Sequence, residues 1–432
     1  MKSLLFALFL SIGFQLFSQV VHPPLGRTSK PDNDEIKLTL IAKIHNWGTP
    51  NDESYDIIEP DIISPKSAVF LEEKGKFYVN SLEGYMTVVF SMKNFQKIKS
   101  IHHDFGKEDA GLFQETNVLN YHFLQERPTP NIFKGKPVEC TLTHGGKYLW
   151  VTYYRRSYDP NAMEPSAMAI IDTDKDEVVR VMPTGPLPKM IAGSPDGKYL
   201  AVTHWGDNTI GIVDISSDDY KDFKFVDHFI VGYQAQFTAA QNTGHINRDS
   251  QCGYCLRGTV FTKDSKYLLV GRMGGGGIAV FDMKKMEYVS TVFGMRPNVR
   301  HLVVTEKYLY LSSNRTGYIQ KTPIDDFLEF ALDEEKVKGQ YTKWKEAYAG
   351  IGARTIEVSD DEKYIFVAVN NESKIVVIRA KDMVKITEIK ADSFPVGLAL
   401  RKNNYLLIST SQAHPGVGGG NCVNVYYVRY LK

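Results

Sequence analysis

The 432-residue sequence predicts an all-β fold, a single seven-bladed β-propeller with four antiparallel strands per blade. Two observations carry that expectation: a phrase that returns seven times, and turn signals that cut each return into short strands. The phrase is a Lys or polar residue, an aromatic, then an apolar β-forming run. Its copies begin at Lys76-Phe77, Lys147-Tyr148, Lys198-Tyr199, Lys266-Tyr267, Lys307-Tyr308, Lys363-Tyr364 and Asn404-Tyr405. Successive aromatics lie 71, 51, 68, 41, 56 and 41 residues apart, so a unit of 41 carries insertions of 30, 10, 27 and 15. A period of about 40 with several strands per unit is the spacing of propeller blades.

The third unit shows the internal order most plainly. Strands are expected over 189–192, 199–203, 209–215 and 223–231, separated by Ser194-Pro195-Asp196-Gly197 and Gly206-Asp207-Asn208 turns. Third strands recur near 169–172, 278–282 and 374–379 as continuous apolar runs, which suits strands covered on both faces by neighbouring blades. The last unit supplies three strands only, 396–400, 405–410 and 422–428. The alternating segment 36–44 belongs to no unit and is expected to complete that blade and close the ring. A coiled solenoid, the rival architecture, would not need this donation.

The phrase Ser194-Pro195-Asp196-Gly197-Lys198-Tyr199-Leu200-Ala201-Val202-Thr203, followed by Asn208-Thr209-Ile210-Gly211-Ile212-Val213-Asp214, resembles a repeat of the YVTN-type seven-bladed β-propellers. The sixth unit, Ser359-Asp360-Asp361-Glu362-Lys363-Tyr364, is similar to it as well, and the resemblance spans nearly all of the chain after residue 18. It implies the architecture and says little of function, because one propeller hosts unrelated activities. YVTN-type propellers resemble both lactone hydrolases and propeller subunits of periplasmic redox enzymes in architecture, and no local motif carries either activity over.

Residues 1–18 hold one charge, Lys2, then an apolar core over 4–14, the layout of a cleaved secretory signal with its cut before Gln19. The apolar stretch is shorter than the roughly 20 residues that span a bilayer, so no transmembrane span is expected. Export to the periplasm, the cell surface or the medium follows. Residues 19–35, rich in Pro, Gly and Asp, read as a mobile leader. Without Lys2 the 51 basic residues become 50 against 50 acidic ones, which argues against sequence-blind capture of nucleic acid. Apolar residues make up 43% of the chain, ample for a core.

Cys140, Cys252, Cys255 and Cys422 are even in number, so disulfides or buried free thiols are expected without a deducible connectivity. Cys252-Gly253-Tyr254-Cys255 lacks the helix start of a redox pair and the His of a haem attachment site. Zinc held by His245, Cys252 and Cys255 has the right elements at a spacing unlike a standard finger. No cofactor or metal is predicted, although a propeller channel can hold a structural ion. Gly274 to Gly277 and Gly418 to Gly420 precede strands rather than helices, which fits hairpin freedom or close backbone approach and not phosphate loops.

In a four-stranded blade, links between blades and loops between second and third strands leave on one face. Insertions near 102–134, 154–165, 231–254, 333–350 and 412–421 are all expected there, which marks that face as functional. The innermost strands also begin there. Ten residues before the repeated aromatic stand Val138, Lys189, Arg257, Asn298 and Arg354, with Lys66 and Val396 one residue off and Arg300 and His301 close by. An electropositive funnel from Lys66, Lys189, Arg257, Arg300, Arg354 and His301 would take an anionic group. The opposing reading pairs these cations with Glu139, Glu357 or loop carboxylates.

The insertions also carry Phe105, Phe113, Tyr121, Phe123, Phe133, Tyr233 and Phe237. These are anchors for a partner, or they fold back to pack long loops onto the disc. His144, His204 and His301 lie near strand ends in different blades and form no nucleophile and base at fixed spacing. The expected function is therefore an exported, non-enzymatic binding or scaffold module. It would dock an extracytoplasmic protein, such as a subunit of an envelope or secretion complex, or an anionic ligand. The alternative is a lactonase-type hydrolase with its site in the funnel.

Overall fold

The computed structural model describes residues 20–30, 34–48, 55–115, 117–123, 132–235, 246–403, 405–413 and 419–431. Seven antiparallel sheets follow one another around a ring. Blade one is Pro65–Leu71, Lys76–Ser81, Met86–Ser91 and Lys97–His102; blade three is Pro188–Gly193, Tyr199–His204, Thr209–Asp214 and Lys224–Ile230. Blades two, four, five and six begin with Phe133–Thr143, Leu256–Phe261, Val299–Val304 and Ala353–Val358. In blade seven, Pro395–Leu400, Leu406–Ser411 and Cys422–Tyr430 are completed by Ile36–His45, which pairs antiparallel with Cys422–Tyr430.

The repeated phrase has a local cause. In blade three the Ser194 hydroxyl donates to Asp196 and accepts the Tyr199 N–H, while Asp196 accepts the Lys198 N–H. Ser359 and Asp361 do the same in blade six, and Thr262 and Asp264 in blade four. Each turn thus satisfies its own backbone and delivers the aromatic into the second strand. Between blades the sheets bury apolar faces against each other; Tyr148, Trp150 and Ile170 of blade two, for example, pack on Ile191, Leu200 and Val213 of blade three.

Two expectations are corrected. The leader is not mobile over 20–30: Gly26 and Ser29 donate to the Leu40 and Leu38 carbonyls, Leu40 donates to Arg27, and His22 meets Asp392 at 2.6 Å. It runs as an outer ribbon along the closing strand, where ladder groups would otherwise be unpaired. The signal segment and residue 19 lie outside the described residues. The stretch 333–350 is not a link between blades. It follows helix Ile324–Leu332 and contains Lys345–Tyr348, which is the outer strand of blade five and pairs with Tyr318–Pro323. This insertion therefore leaves between third and fourth strands, on the face opposite the others. The Asp104–Phe105 strand, part of the first insertion, pairs with the start of the long Phe133–Thr143 strand.

Cys252 and Cys255 form a disulfide, whereas Cys140 and Cys422 are free. Burial pushes the Cys140 thiol up to about 12, the behaviour of an inert structural thiol. The bonded pair cannot serve as zinc thiolates, and His245 lies outside the described residues; among the described residues no cluster of His, Cys, Asp and Glu could hold a metal. Gly274 explains its own identity: a Cβ there would stand 2.5 Å from the Gly253 carbonyl in the disulfide loop. Because this disulfide closes a loop of only a few residues, reduction should lower stability by no more than about 2 kcal/mol. Thermal unfolding with and without dithiothreitol reads that cost, and loss of the folded state on reduction would contradict it. No helix among the described residues is long and apolar enough to cross a membrane.

Candidate functional site

Every inner strand breaks register with its neighbour just after entering the sheet. Pro188 faces His204 and Met190 faces Thr203, which leaves Lys189 extra; Val299 faces Ser313 and His301 faces Ser312, which leaves Arg300 extra. The equivalent position is Lys66, Val138, Arg257, Arg354 and Val396 in the other blades. A bulge bends the strand and re-aims the side chain it carries. Six of these seven side chains, all but Val396, line one cavity, and five of them are cations.

Lys66, Lys189, Arg257, Arg300 and Arg354 meet around one cavity of about 260 Å³, closed off by Leu82, Val138, Tyr154, Asp249, Phe394 and Gln412. Asp249, Leu82, Phe394 and Gln412 come from loops of the insertion face, and Tyr154 from the end of the strand Tyr148–Arg156 that reaches it. Lys189 donates to Asp249 at 2.6 Å and lies 3.8 Å from the centre of the Trp205 ring. Tyr154 donates to the other oxygen of Asp249, and Trp205 holds the Asp249 carbonyl at 3.0 Å. Arg257 donates to Glu139 and, at 2.6 Å, to the Lys189 carbonyl. The opposing reading of the sequence is thus correct for these two cations.

For the other three it fails. Among the described residues no carboxylate lies within ion-pair distance of Lys66, Arg300 or Arg354; Lys66 donates to the Gln412 amide oxygen at 3.1 Å and Arg300 to the Met273 sulfur at 3.4 Å. The Arg300 Nε is buried with no acceptor. Glu357, the other carboxylate weighed as a partner, lines the opposite mouth of the channel with Glu72 and Lys402. Burial there, reinforced by Asp360, pushes its carboxyl up to about 8.

Burial and then neighbouring guanidiniums lower Lys66 well below the usual lysine range. Burial outweighs Asp249 to bring Lys189 down to about 7. Burial, then Arg354 and Arg257, also lower Arg300. A guanidinium keeps its proton at any ordinary pH, so the repulsion is relieved at the lysines. His301 does not join the funnel as a cation: burial holds it down at about 4, and its Nδ1 faces the Ile356 N–H at 3.5 Å. His144 and His204 are also structural, the first bonded to the Ile215 and Ser217 carbonyls and the second to Thr184, Gly185 and Thr209.

Four of the aromatics expected as partner anchors or loop packing are packing. Phe105, Phe113, Phe123 and Phe133 are buried in one cluster with Tyr153 and Val181, and the Arg156 guanidinium caps Phe123 at 4.2 Å. Tyr121 reaches across to blade three, donating to Asp207, while Asn120 donates to Gln234 at 2.6 Å. The first insertion is thereby tied to the third. Tyr233 is the exception at 51% exposure, and Phe237 lies outside the described residues. Asp249 and Tyr154, which hold Lys189, carry no local sequence signal, because their contacts join residues 60 and 95 positions apart.

No protein-family model matches the sequence, and neither does any curated protein. Among solved structures the fold is similar to hydrazine synthase of Kuenenia stuttgartiensis, with a TM-score of 0.56 at 12% identity, covering 84% of this chain and 96% of that one. It is similar to the Cps50 (Swd1) β-propeller domain of Myceliophteria thermophila, with a TM-score of 0.56 at 10% identity, covering 85% and 97%. The chain is a seven-bladed β-propeller. At such identities the likeness extends to the fold of the propeller alone.

Proposed function

We propose that this propeller is an exported binding module of YVTN type that captures an anionic ligand in the basic funnel of its insertion face. The observation that carries the reading is the set of five cations at equivalent bulge positions, converging on one cavity with Asp249 and Glu139 as the counter-charges paired to them among the described residues. Buried charges without partners are costly, and a carboxylate or phosphate group is the chemistry that would neutralise them. Among the described residues the cavity lining includes no Ser, Thr, Cys or His, and its Lys189, Tyr154 and Asp249 are engaged with one another. Burial of Phe105, Phe113 and Phe123 removes three anchors from the reading in which aromatic loops dock a protein.

Lys66 and Arg354 are the residues to change, because neither is paired with a carboxylate and their loss orphans none. A panel of small mono-, di- and tricarboxylates and phosphate, tested by calorimetry, should include an anion that binds the native protein. The Lys66→Gln, Arg354→Gln double variant should bind it about 30-fold or more weakly with the fold intact by circular dichroism. Unchanged affinity in a folded double variant would overturn the funnel as the site.

A further inference from the structure

The bulge ring is not uniformly charged, and its pattern specifies the ligand further. Lys189, Arg257, Arg300 and Arg354 sit in blades three, four, five and six, one cation in each of four consecutive blades. The remaining arc holds Val396, Lys66 and Val138. Leu82, Val138 and Phe394 face the cavity from that side. One wall is therefore a continuous cationic arc, and the wall across from it is apolar except for Lys66 and the Gln412 amide.

Resting on the anion-binding reading, we infer that the ligand is a compact organic dianion or trianion of the di- or tricarboxylate class. Its acidic groups would lie along the arc of blades three to six, and its short hydrocarbon body against Leu82, Val138 and Phe394. Charge is the first reason. Asp249 and Glu139 account for Lys189 and Arg257, which leaves Lys66, Arg300 and Arg354 without a carboxylate among the described residues. Even where the lowered Lys66 has shed its proton, a single negative charge would leave one of the Arg300 and Arg354 guanidiniums uncompensated in a largely buried site, and a second negative charge would also favour return of the Lys66 proton. Space is the second reason. About 260 Å³ is below the range of about 300–1,000 Å³ that encloses drug-sized ligands, so the charges must stand close together on a small body.

Donor geometry is the third. The Arg300 Nε–H is buried with no acceptor, and a guanidinium fork is matched by the two oxygens of a carboxylate. Gln412 accepts from Lys66 through its carbonyl oxygen, so its amide N–H₂ remains as a neutral donor at the same wall.

Calorimetry of the full-length secreted protein against succinate, citrate, acetate, butyrate, inorganic phosphate and chloride, at one ionic strength, separates the possibilities. Succinate or citrate should bind at least 30-fold more tightly than acetate or butyrate, and more tightly than inorganic phosphate, which has no body for the apolar wall. Val138→Asp should weaken succinate at least tenfold while leaving the thermal midpoint of the empty protein within a few degrees; Val138→Ile, which keeps the wall apolar, should retain binding. Acetate binding as tightly as succinate would overturn this inference and leave the funnel as a general anion site. Binding of none of the six, with the Lys66→Gln, Arg354→Gln variant indistinguishable from the native protein, would overturn the anion reading itself.

Discussion

Replacing Leu38 and Leu40 together by Ala should unfold the propeller or bring it to the edge of unfolding. Both side chains are fully buried on the closing strand, in a cluster with Tyr364, Phe366 and Val377 of blade six and Tyr426 of blade seven. After a register shift between Leu40 and Ala42, the same strand sends Ala42 and Ile44 into a second cluster with Phe77 and Val88 of blade one. It therefore joins three blades, and it does so from the far end of the chain. Each Leu→Ala change in a core costs about 2–5 kcal/mol, against a total stability of about 5–15 kcal/mol. Urea unfolding should show the double variant losing at least half of the native stability, while Lys37→Ala, on the exposed side of the same strand, stays within about 0.5 kcal/mol. A double variant with a native midpoint would mean that the ring closes without this strand.

The ring was legible in the sequence because its causes are local. The Ser/Thr-x-Asp turns of blades three, four and six, and the aromatic that opens the second strand phrase in every unit, need no knowledge of distant contacts, and the orphan segment 36–44 stood out because the last unit lacked a strand. Arg300 shows the limit of counting. Blade five joins its first two strands through three residues, 305–307, where blade four uses five, 262–266, so a fixed offset from the aromatic lands on Asn298 instead. A better marker was present: Pro65, Pro137, Pro188 and Pro395 stand immediately before the bulge residue in four blades, where a missing N–H is tolerated. Placing 333–350 between blades failed because Lys345–Tyr348 is a short outer strand of charged and small residues, and half of a sheet's edge strand needs no apolar pattern. Glu139 was weighed as a counter-charge and does hold Arg257, whereas the choice of Asp249 among the loop carboxylates was illegible, since it meets Lys189 across 60 positions.

Acid should unfold the protein earlier than its carboxylates alone would require, because two buried histidines are held neutral by their partners. At His204, Nε2 accepts the Gly185 N–H at 3.0 Å and Nδ1 donates to Thr209, whose own hydroxyl is committed to Asp207. At His103, Nε2 donates to Thr87, whose hydroxyl is committed to Asn80, and Nδ1 accepts from Tyr153. At His204 a second proton would set a donor against the fixed Gly185 N–H, and at His103 it would bury a charge and oblige the Tyr153 hydroxyl to turn from donor to acceptor. Burial, then the His102 charge, pushes His103 down to about 3, and burial, then His228, lowers His204 well below the usual range. In the unfolded chain both would titrate near 6.5. Below that pH the unfolded state binds protons that the folded state refuses, so stability falls as pH falls, by about 1.4 kcal/mol per unit for each ring. Between pH 6.5 and 5 the pair costs about 3 kcal/mol. Glu357 works in the opposite direction: its raised carboxyl keeps a proton that the unfolded chain releases, so its contribution grows as pH falls from about 8. Comparing the native protein with the His103→Gln, His204→Gln variant cancels that term. The variant should be less stable at pH 7 yet flatter by about 3 kcal/mol across this window in urea titrations at fixed pH. Parallel profiles would show that both rings accept a second proton inside the folded propeller.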